Sequence, residues 1–297
     1  MKLLIVTQAV DTNDSDLGFF VRWIEEFSKH CEKVTVICLR KGTYTLPDNV
    51  KVIELPRANR LARAVYVIRV CVRLHTEYDA VFVHMNPEYV VVCGIFLRFF
   101  GKRVALWYTH KSVDLKLRVA ELFTNIILTA SKESFRLPSR KVRVMGHGID
   151  TDFFSPDPSV ARGEYLLSVG RLSPSKRHDL AIREAAREGR ELRIAGEGPE
   201  RERLMALARS LGANVRFLGP LTQEQLRNEY HRAKMFVHTS ETGSLDKVVL
   251  EATACGLPVR TNDSALKYLE NTNPAYVREH HSLARLIPEI MGVFQGS

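Results

Sequence analysis

Short apolar segments rich in β-branched residues alternate with amphipathic segments along nearly the whole 297-residue chain. Segments with helical periodicity in the first half are Gly18–His30, Arg60–His75 and Asp114–Phe123. The apolar segments between and beside them have the length of buried strands, and they are Lys2–Thr7, Lys33–Cys38, Val50–Leu55, Ala80–His84, Arg103–Tyr108 and Asn125–Ala130. Strands that alternate with helices predict a parallel sheet covered by helices on both faces.

The same alternation starts again in the second half, where it predicts a second sheet of the same kind. Its strands are predicted at Glu164–Val169, Glu191–Ala195, Val215–Leu218, Met235–His238 and Leu257–Arg260. Its helices are predicted at His178–Glu188, Glu200–Ser210, Thr222–Ala233 and Lys247–Cys255. Residues 151–163 contain Pro156, Pro158 and Gly163 and lack periodicity, which is typical of a linker.

The predicted fold class is therefore α/β, with two Rossmann-like parallel-sheet domains that face each other across a cleft. The first domain comprises residues 1–150 and the second comprises residues 164–297. Ser282–Phe294 could form a last helix that packs on the first domain. Ligands of such sheets bind at the carboxyl ends of the strands.

Charge and composition narrow the classes of partner. The chain has 43 Lys and Arg against 34 Asp and Glu, a net charge of +9, which favours an anionic partner such as a nucleotide or a phospholipid surface. Nucleic acid is not expected, because zinc-finger spacing and aromatic RNA-binding motifs are absent. The apolar stretch Tyr89–Phe100 is interrupted by Arg98 and is shorter than the ~20 residues of a membrane span. With five scattered cysteines and an N-terminus unlike a signal peptide, a cytoplasmic protein is expected.

The first segment with chemical potential follows the first strand of the second domain. A glycine turn at Gly170 is followed by Arg171 and, five residues later, by Lys176. Two cations at the carboxyl edge of a sheet suit a diphosphate, whose charge they can hold and stabilise as it leaves. The alternative is that both are solvated surface cations. The next strand ends in Gly196-Glu197-Gly198, which is either a degenerate phosphate-binding turn or a structural strand-to-helix turn.

The predicted helix Lys247–Cys255 forms a further candidate segment. Ser244 or Asp246 can cap its N-terminus, whose free N–H groups at Lys247 and Val248 form an anion site. Glu251 is an acid on an otherwise apolar helix, which is costly unless it is paired or bound to ligand hydroxyls. A salt bridge with Lys247 and a contact with ribose hydroxyls are the two alternatives, and the ligand contact is preferred here.

The order and spacing of these segments resemble glycosyltransferase family 4, retaining enzymes of the GT-B fold, over about residues 1–260. The resemblance implies that Arg171 and Lys176 hold the donor diphosphate and that Glu251 binds the ribose. It also implies that the turn with Phe217 and Leu218 lines the base. Donor contacts are expected as well from the helix start, which comprises Asp246, Lys247 and Val248.

One position departs from the family pattern. Members carry a glutamate near the donor sugar eight positions before the helix glutamate, and this chain has Gly243 there. Glu241 or Asp246 could supply the missing carboxylate to the sugar hydroxyls. The substitution puts the identity of the donor in question.

In the first domain, the resemblance implies two further site residues. Gly18 follows the first strand in a glycine-bearing loop that approaches the donor phosphate, although it could equally be a turn glycine. His110 ends another strand, and in family members a histidine there faces the reacting sugar, which implies a place at the catalytic centre.

The segment Arg60–His75 has Leu61, Val65, Ile68 and Val72 on one face, with arginines around the rest. The favoured interpretation is a helix that packs on the core through this face and has a basic outer surface. The alternative is attachment to anionic lipid, at the inner face of the membrane.

The predicted activity is transfer of a sugar, with retention, from a UDP- or GDP-linked donor to a saccharide or lipid-linked acceptor, such as a cell-envelope glycan. Arg171, Lys176 and His110 are the predicted catalytic residues, and no metal or other cofactor is expected because two cations can do the metal's work. A non-catalytic GT-B nucleotide-binding module and another GT-B enzyme, such as a sugar-nucleotide epimerase, remain as alternatives. A dinucleotide-dependent oxidoreductase is disfavoured, because Asp11, Asp14 and Asp16 follow the first strand in place of a glycine-rich turn.

Overall fold

A computed structural model of the protein describes residues 1–240, 243 and 245–295. The chain folds into two compact units. The first comprises Met1–Gly148 and the C-terminal segment that begins at Leu283, and the second comprises Ile149–Ser282.

Seven parallel strands form the sheet of the first unit, counted over its described residues. They are β1 (Lys2–Val10), β2 (Lys33–Lys41), β3 (Val50–Glu54), β4 (Ala80–His84), β5 (Arg103–Trp107), β6 (Ile126–Thr129) and β7 (Val142–Val144). Their order in the sheet is β3-β2-β1-β4-β5-β6-β7. The four residues Leu3–Val6 of β1 are all buried, as expected for a strand covered on both faces.

Helices cover both faces of this sheet, and each face has its own apolar core. One layer contains α1 (Phe19–Lys29) and α10 (Leu283–Gln295), which share a core with the aromatic rings of Trp23 and Trp107. The other layer contains α2 (Arg60–Arg73), α3 (Pro87–Phe99) and α4 (Leu115–Phe123). The C-terminal helix that the sequence predicts is thus part of the first unit.

Five parallel strands form the sheet of the second unit, again counted over the described residues. They are β8 (Leu166–Val169), β9 (Leu192–Ala195), β10 (Val215–Gly219), β11 (Met235–His238) and β12 (Val259–Thr261), in the order β10-β9-β8-β11-β12. The helices are α5 (His178–Glu188), α6 (Arg201–Ser210), α7 (Gln223–Arg232), α8 (Lys247–Ala254) and α9 (Pro274–His281). The predicted α/β class with two parallel sheets is confirmed.

Residues 151–163, where the sequence predicts a linker, are packed within the second unit. Phe154 is 2% exposed and belongs to its apolar core. The Arg162 guanidinium donates to the carbonyl oxygens of Tyr230 and Ala233 at the end of α7. Cation-to-carbonyl bonds at a helix C-terminus satisfy acceptors that have no partner inside the helix.

The predicted core face of α2 is wrong for its N-terminal half, whereas Ile68 of the same stripe packs against the core. Leu61 is 75% exposed and Val65 is 40% exposed, whereas Val67 and Cys71 are buried against the sheet. The hydrophobic periodicity identifies an apolar face through Leu61 and Val65, but it does not show that the neighbouring face with Val67 and Cys71 is the one that packs on the core. The helix α3 was not predicted, because its nearly continuous apolar run lacks the periodicity of a surface helix.

Candidate functional site

The chain reverses its direction of travel across the second sheet at β8. From β8 it proceeds through β9 to the edge strand β10, and it then returns to β11 on the other side of β8. The loops after β8 and β11 therefore leave the sheet in opposite directions, which opens a crevice at their carboxyl ends. The predicted donor-binding residues that follow these two strands are Arg171, Lys176, Asp246, Lys247 and Val248.

The turns after β8 and β9 pack backbone against backbone. A Cβ on Gly196 would lie 2.0 Å from the carbonyl oxygen of Gly170, and one on Gly198 would lie 2.4 Å from that of Leu172. Both glycines also have positive φ angles, 140° and 158°. The structure thus supports the structural interpretation of the Gly196-Glu197-Gly198 turn, since these glycines allow two neighbouring turns to touch.

Arg171 lies at the outer end of this double turn. Its neighbours are fixed by backbone bonds, from Gly170 N–H to the Ala195 oxygen at 3.0 Å and from Leu172 N–H to the Glu197 oxygen at 2.8 Å. The side chain of Arg171 is exposed, and no ion pair of its guanidinium occurs among the described residues. A rigidly held backbone therefore presents a solvated guanidinium at the carboxyl edge.

Lys176 and Asp246 form an ion pair across the crevice between β8 and β11. Lys176 ends a short 3₁₀ turn (Pro174–Lys176), and its Nζ lies 2.5 Å from Oδ2 of Asp246. The side chain of Lys176 is 24% exposed and that of Asp246 is 18% exposed. His238 Nε2 lies 2.9 Å from the same carboxylate oxygen. The cation predicted for the diphosphate is thus paired with a carboxylate of the same site.

The carboxylate of Asp246 does not cap α8, contrary to one of the roles that the sequence predicts. Asp246 occupies the N-cap position, but its side chain makes no capping hydrogen bond. Burial alone raises the pKa of Asp246, yet the hydrogen bond from His238 and the charge of Lys176 outweigh it and hold the pKa below its usual value. Asp246 is therefore ionised at neutral pH. Ser244, the other predicted cap, lies outside the described residues.

The carboxylate of Glu251 has two partners among the described residues. Lys247 Nζ lies 2.6 Å from Oε1, and the Tyr230 hydroxyl donates to Oε2 at 3.2 Å. Burial and the neighbouring carboxylate raise the pKa of Tyr230, so the phenol keeps its proton. Glu251 is 1% exposed. The salt bridge that the sequence allowed is present, and a ribose contact would require Glu251 to exchange one of these partners.

Phe217 and Leu218 lie on the edge strand β10, two strands from β8. The pairing register with β9 shifts between Phe217 and Gly219, so Leu218 is the extra residue of an irregularity at the carboxyl end. Phe217 and Leu218 are half-buried and pack on opposite faces of the sheet. Val248 is half-buried against the same core as Leu218.

Gly243 has a left-handed backbone, with φ of 65°. Its N–H donates to Oδ2 of Asp263 at 2.6 Å, and an added Cβ would meet nothing within 4 Å. A glutamate here would have room but would adopt a backbone conformation that residues with a Cβ disfavour by about 1 kcal/mol. Glu241, the other candidate for the missing carboxylate, lies outside the described residues.

Gly18 and His110 belong to the first unit. Gly18 precedes α1, and a Cβ on it would lie 2.5 Å from the Asp14 carbonyl oxygen, so a tight loop is sufficient to require a glycine. His110 is exposed, three residues beyond β5, with its ring centroid 6.1 Å from that of Tyr108. β5 lies two strands from β1.

Three residues of the site were not predicted: His238, Tyr230 and Asp263. His238 is the last residue of β11, so its position at a carboxyl strand end was a signal in the sequence. Tyr230 and Asp263 could not be found in this way, because they reach the site from α7 and from the segment after β12. Among residues 1–240, 243 and 245–295, no three His, Cys, Asp or Glu side chains are placed to hold a metal ion together.

Comparisons with known proteins identify a family model that matches this part of the chain. The family model described as glycosyl transferases group 1 matches residues 151–277. These residues include every candidate of the second unit. The match spans nearly the whole of the second unit. The resemblance to glycosyltransferase family 4 is thereby confirmed.

Curated relatives and solved structures extend the comparison. A D-inositol 3-phosphate glycosyltransferase of Mycobacteroides abscessus is 36% identical over 137 residues, which cover 40% of this chain and 31% of that protein. The matched region thus spans about a third of the length of such relatives. Anabaena HepE, solved with UDP-glucose, has a TM-score of 0.77 and 16% identity over the full length of both chains. The sucrose-phosphate synthase of Thermosynechococcus elongatus has a TM-score of 0.72 and 15% identity, over 99% of this chain and 98% of that one. These structures establish the GT-B fold.

Proposed function

We propose that this protein is a retaining glycosyltransferase that moves a sugar from a UDP- or GDP-linked donor to an acceptor. The observation that carries the proposal is the pair of cations, Arg171 and Lys176, at the crevice between β8 and β11 of a group 1 glycosyltransferase domain. The N-terminus of α8 lies in the same crevice and adds the positive end of the helix dipole.

The proposed chemistry requires stabilisation of the negative charge that develops on the departing nucleoside diphosphate. Arg171 is solvated and can form two parallel hydrogen bonds to phosphate oxygens, while Lys176 can add a compact charge once it leaves Asp246. We propose that these cations act without a metal ion, and that His110 donates to a hydroxyl of the donor sugar. Fixed cations cost no reorganisation at the moment of bond cleavage, which is why they lower the barrier.

The nature of the donor and acceptor is proposed from relatives. HepE was solved with UDP-glucose, and the curated relatives are named D-inositol 3-phosphate glycosyltransferase. A nucleotide-sugar donor and a phosphorylated or lipid-linked acceptor, such as a cell-envelope precursor, would both suit the positive charge of this chain.

The test is turnover with a panel of UDP- and GDP-sugars. Arg171→Ala and Lys176→Ala should each lower turnover by about two orders of magnitude, because each removes one stabilising charge. Arg209→Ala is the matched control, since Arg209 is an exposed arginine in the last turn of α6. Turnover near that of the wild type in both site variants would reject the proposal.

A nucleotide-binding module without transfer is the second candidate, and two observations favour it. Gly243 leaves no side chain where family members place a glutamate, and Lys176 is paired with Asp246. Calorimetric titration with UDP and GDP, beside an assay of donor hydrolysis, separates the two candidates. Binding without any hydrolysis or transfer over the full panel would favour the module.

We further propose that the α2–α4 layer of the first unit contacts an anionic membrane surface at the cytoplasmic side. Large apolar side chains of this layer are exposed: Leu61 by 75%, Ile95 by 61%, Phe99 by 84%, Leu115 by 75% and Leu122 by 59%. The exposed cations Arg60, Arg69, Arg73, Lys116 and Arg118 lie on the same helices. No helix within the described residues is long and apolar enough to cross a bilayer. Apolar insertion combined with cationic attraction is the usual basis of interfacial binding.

Co-sedimentation with vesicles of anionic and of neutral lipid tests this contact. Wild-type protein should bind the anionic vesicles at low salt, and Phe99→Ser with Ile95→Ser should abolish binding. Leu211→Ser is the control, because Leu211 is 39% exposed in the second unit. Equal sedimentation of the double variant and the control would refute the surface, as would binding to neither vesicle.

A further inference from the structure

A chain of hydrogen bonds runs from the end of β12 to Lys176. The Asp263 N–H donates to Oγ1 of Thr261 at 3.1 Å, and this oxygen lies 2.9 Å from Nδ1 of His238. On the other side of the ring, Nε2 of His238 lies 2.9 Å from Oδ2 of Asp246, which also accepts from Lys176. Thr261 is the register partner of His238 in the sheet, so the chain begins on rigid backbone.

Donor and acceptor roles along this chain follow from its two ends. The Asp263 N–H can only donate, so the Thr261 oxygen accepts it and has its own proton available for Nδ1 of His238. Asp246 is ionised and can only accept, so Nε2 of His238 must carry a proton. All of the bonds are satisfied when Nε2 of His238 carries a proton and Nδ1 accepts from the Thr261 hydroxyl.

Asp246 is therefore held by the sheet and not by its own helix. It makes no capping bond to α8, and its Oδ1 has no hydrogen-bond partner among the residues that the structure describes. Asp263 at the other end of the chain holds the N–H of Gly243. The end of β12 thus fixes both Gly243, at the position where family members carry a glutamate, and Asp246, three residues later.

We propose that His238 is a positioning residue that holds Asp246 in place of the missing glutamate at position 243. The proposal rests on the proposed function. When the donor diphosphate takes Lys176, Asp246 loses one partner but keeps His238, and its free Oδ1 accepts from a hydroxyl of the donor sugar. His238 itself touches neither the nucleotide nor the sugar in this scheme.

Two amide substitutions of His238 that differ in side-chain length test its positioning role. His238→Gln keeps a donor near the position of Nε2, whereas His238→Asn reaches Thr261 but not Asp246. Dissociation constants for UDP and UDP-glucose, and for GDP and GDP-mannose, are measured by calorimetry for each variant. The contribution of the sugar, given by the ratio of the two constants for a pair, should fall about tenfold in His238→Asn. It should be largely retained in His238→Gln.

Outcomes for the two proposals are distinguishable. A sugar contribution in His238→Asn equal to that of the wild type, with nucleotide binding intact, overturns the His238 role alone. Failure of the wild type to bind either nucleotide overturns the proposed function and the role that rests on it. Equal thermal unfolding of the Gln and Asn variants shows that their difference is not a loss of fold.

Nitrogen NMR of protein with ¹⁵N-labelled histidine tests the hydrogen-bond chain without any ligand. The wild-type protein should show a proton on Nε2 of His238, and Thr261→Ser, which keeps the hydroxyl, should preserve it. Thr261→Val, which has the same shape without the hydroxyl, should leave the proton on Nε2 and shift the Nδ1 resonance, because Nδ1 loses its hydrogen bond. A wild-type His238 with a proton on Nδ1 and none on Nε2 would contradict the chain.

Discussion

Replacement of Asp246 by asparagine should strengthen binding of a free nucleoside diphosphate. The change keeps the shape of the side chain but removes the charge that holds Lys176 at 2.5 Å. With side chains 24% and 18% exposed, this pair lies between a surface salt bridge and a buried charge-assisted bond, so its contribution is about 1–2 kcal/mol. Lys176 no longer has to break that interaction before it binds phosphate, so the dissociation constant should fall about 5- to 30-fold.

The assay is calorimetric titration of UDP and GDP into four proteins: the wild type, Asp246→Asn, Lys176→Met and the double variant. If the gain passes through Lys176, Asp246→Asn should have little effect once Lys176 is methionine. The reasoning is refuted if Asp246→Asn binds the nucleotide no better than the wild type. An equal gain in the Lys176→Met background would show that the effect does not involve the ion pair.

Three further predictions concern stability. Burial lowers the pKa of His84 to about 3, so the unfolded chain binds a proton below pH 6.5 that the native protein does not. The free energy of unfolding therefore decreases as the pH is lowered below about 6.5. Between pH 7 and pH 5, His84→Gln should make this decrease smaller by about 2 kcal/mol, as measured by urea unfolding. An unchanged loss would refute this. Lys247→Met leaves the buried Glu251 with Tyr230 alone and should cost about 3 kcal/mol in denaturant unfolding, most of which Glu251→Gln should restore. Gly196→Ala places a Cβ 2.0 Å from a carbonyl oxygen and should lower the free energy of unfolding by at least about 2 kcal/mol. Gly212→Ala is the control and should lower it by about 1 kcal/mol, because φ is 60° there but the space around the Cβ is open. Equal losses in the two variants would contradict the steric argument.

Much of the fold could be predicted because its signal is local. Buried parallel strands are continuous apolar runs, and each predicted strand is present at nearly the predicted bounds. The strand β7 and the helix α3 were missed for physical reasons. Val142–Val144 is short and half exposed, and the apolar run of Pro87–Phe99 has no polar face to set its period.

The direction in which a helix faces was harder to predict. The stripe through Leu61 and Val65 has the spacing of a core face, but Val67 and Cys71 face the core instead. An isolated helix pattern assumes that the most apolar face is buried. That assumption fails when a second apolar surface is left exposed, as it is on α2.

The sequence motifs predicted the positions of the two cations, but they could not predict the ion-pair partners of the site residues. The positions of Arg171 and Lys176 after β8 follow from strand ends alone. The partners of Lys176 and Glu251 depend on residues far away in sequence, since Asp246 lies 70 residues from Lys176 and Tyr230 lies 21 residues from Glu251. Such contacts arise only from tertiary packing.

The most direct test of the account is a crystal structure of the protein with a bound nucleoside diphosphate, UDP or GDP. The account predicts phosphate oxygens within hydrogen-bonding distance of the Arg171 guanidinium and of Lys176 Nζ. Lys176 should have moved away from Asp246, and His238 should still be hydrogen-bonded to Asp246. A diphosphate bound elsewhere, or a Lys176 that stays on Asp246 beside an occupied crevice, would contradict it.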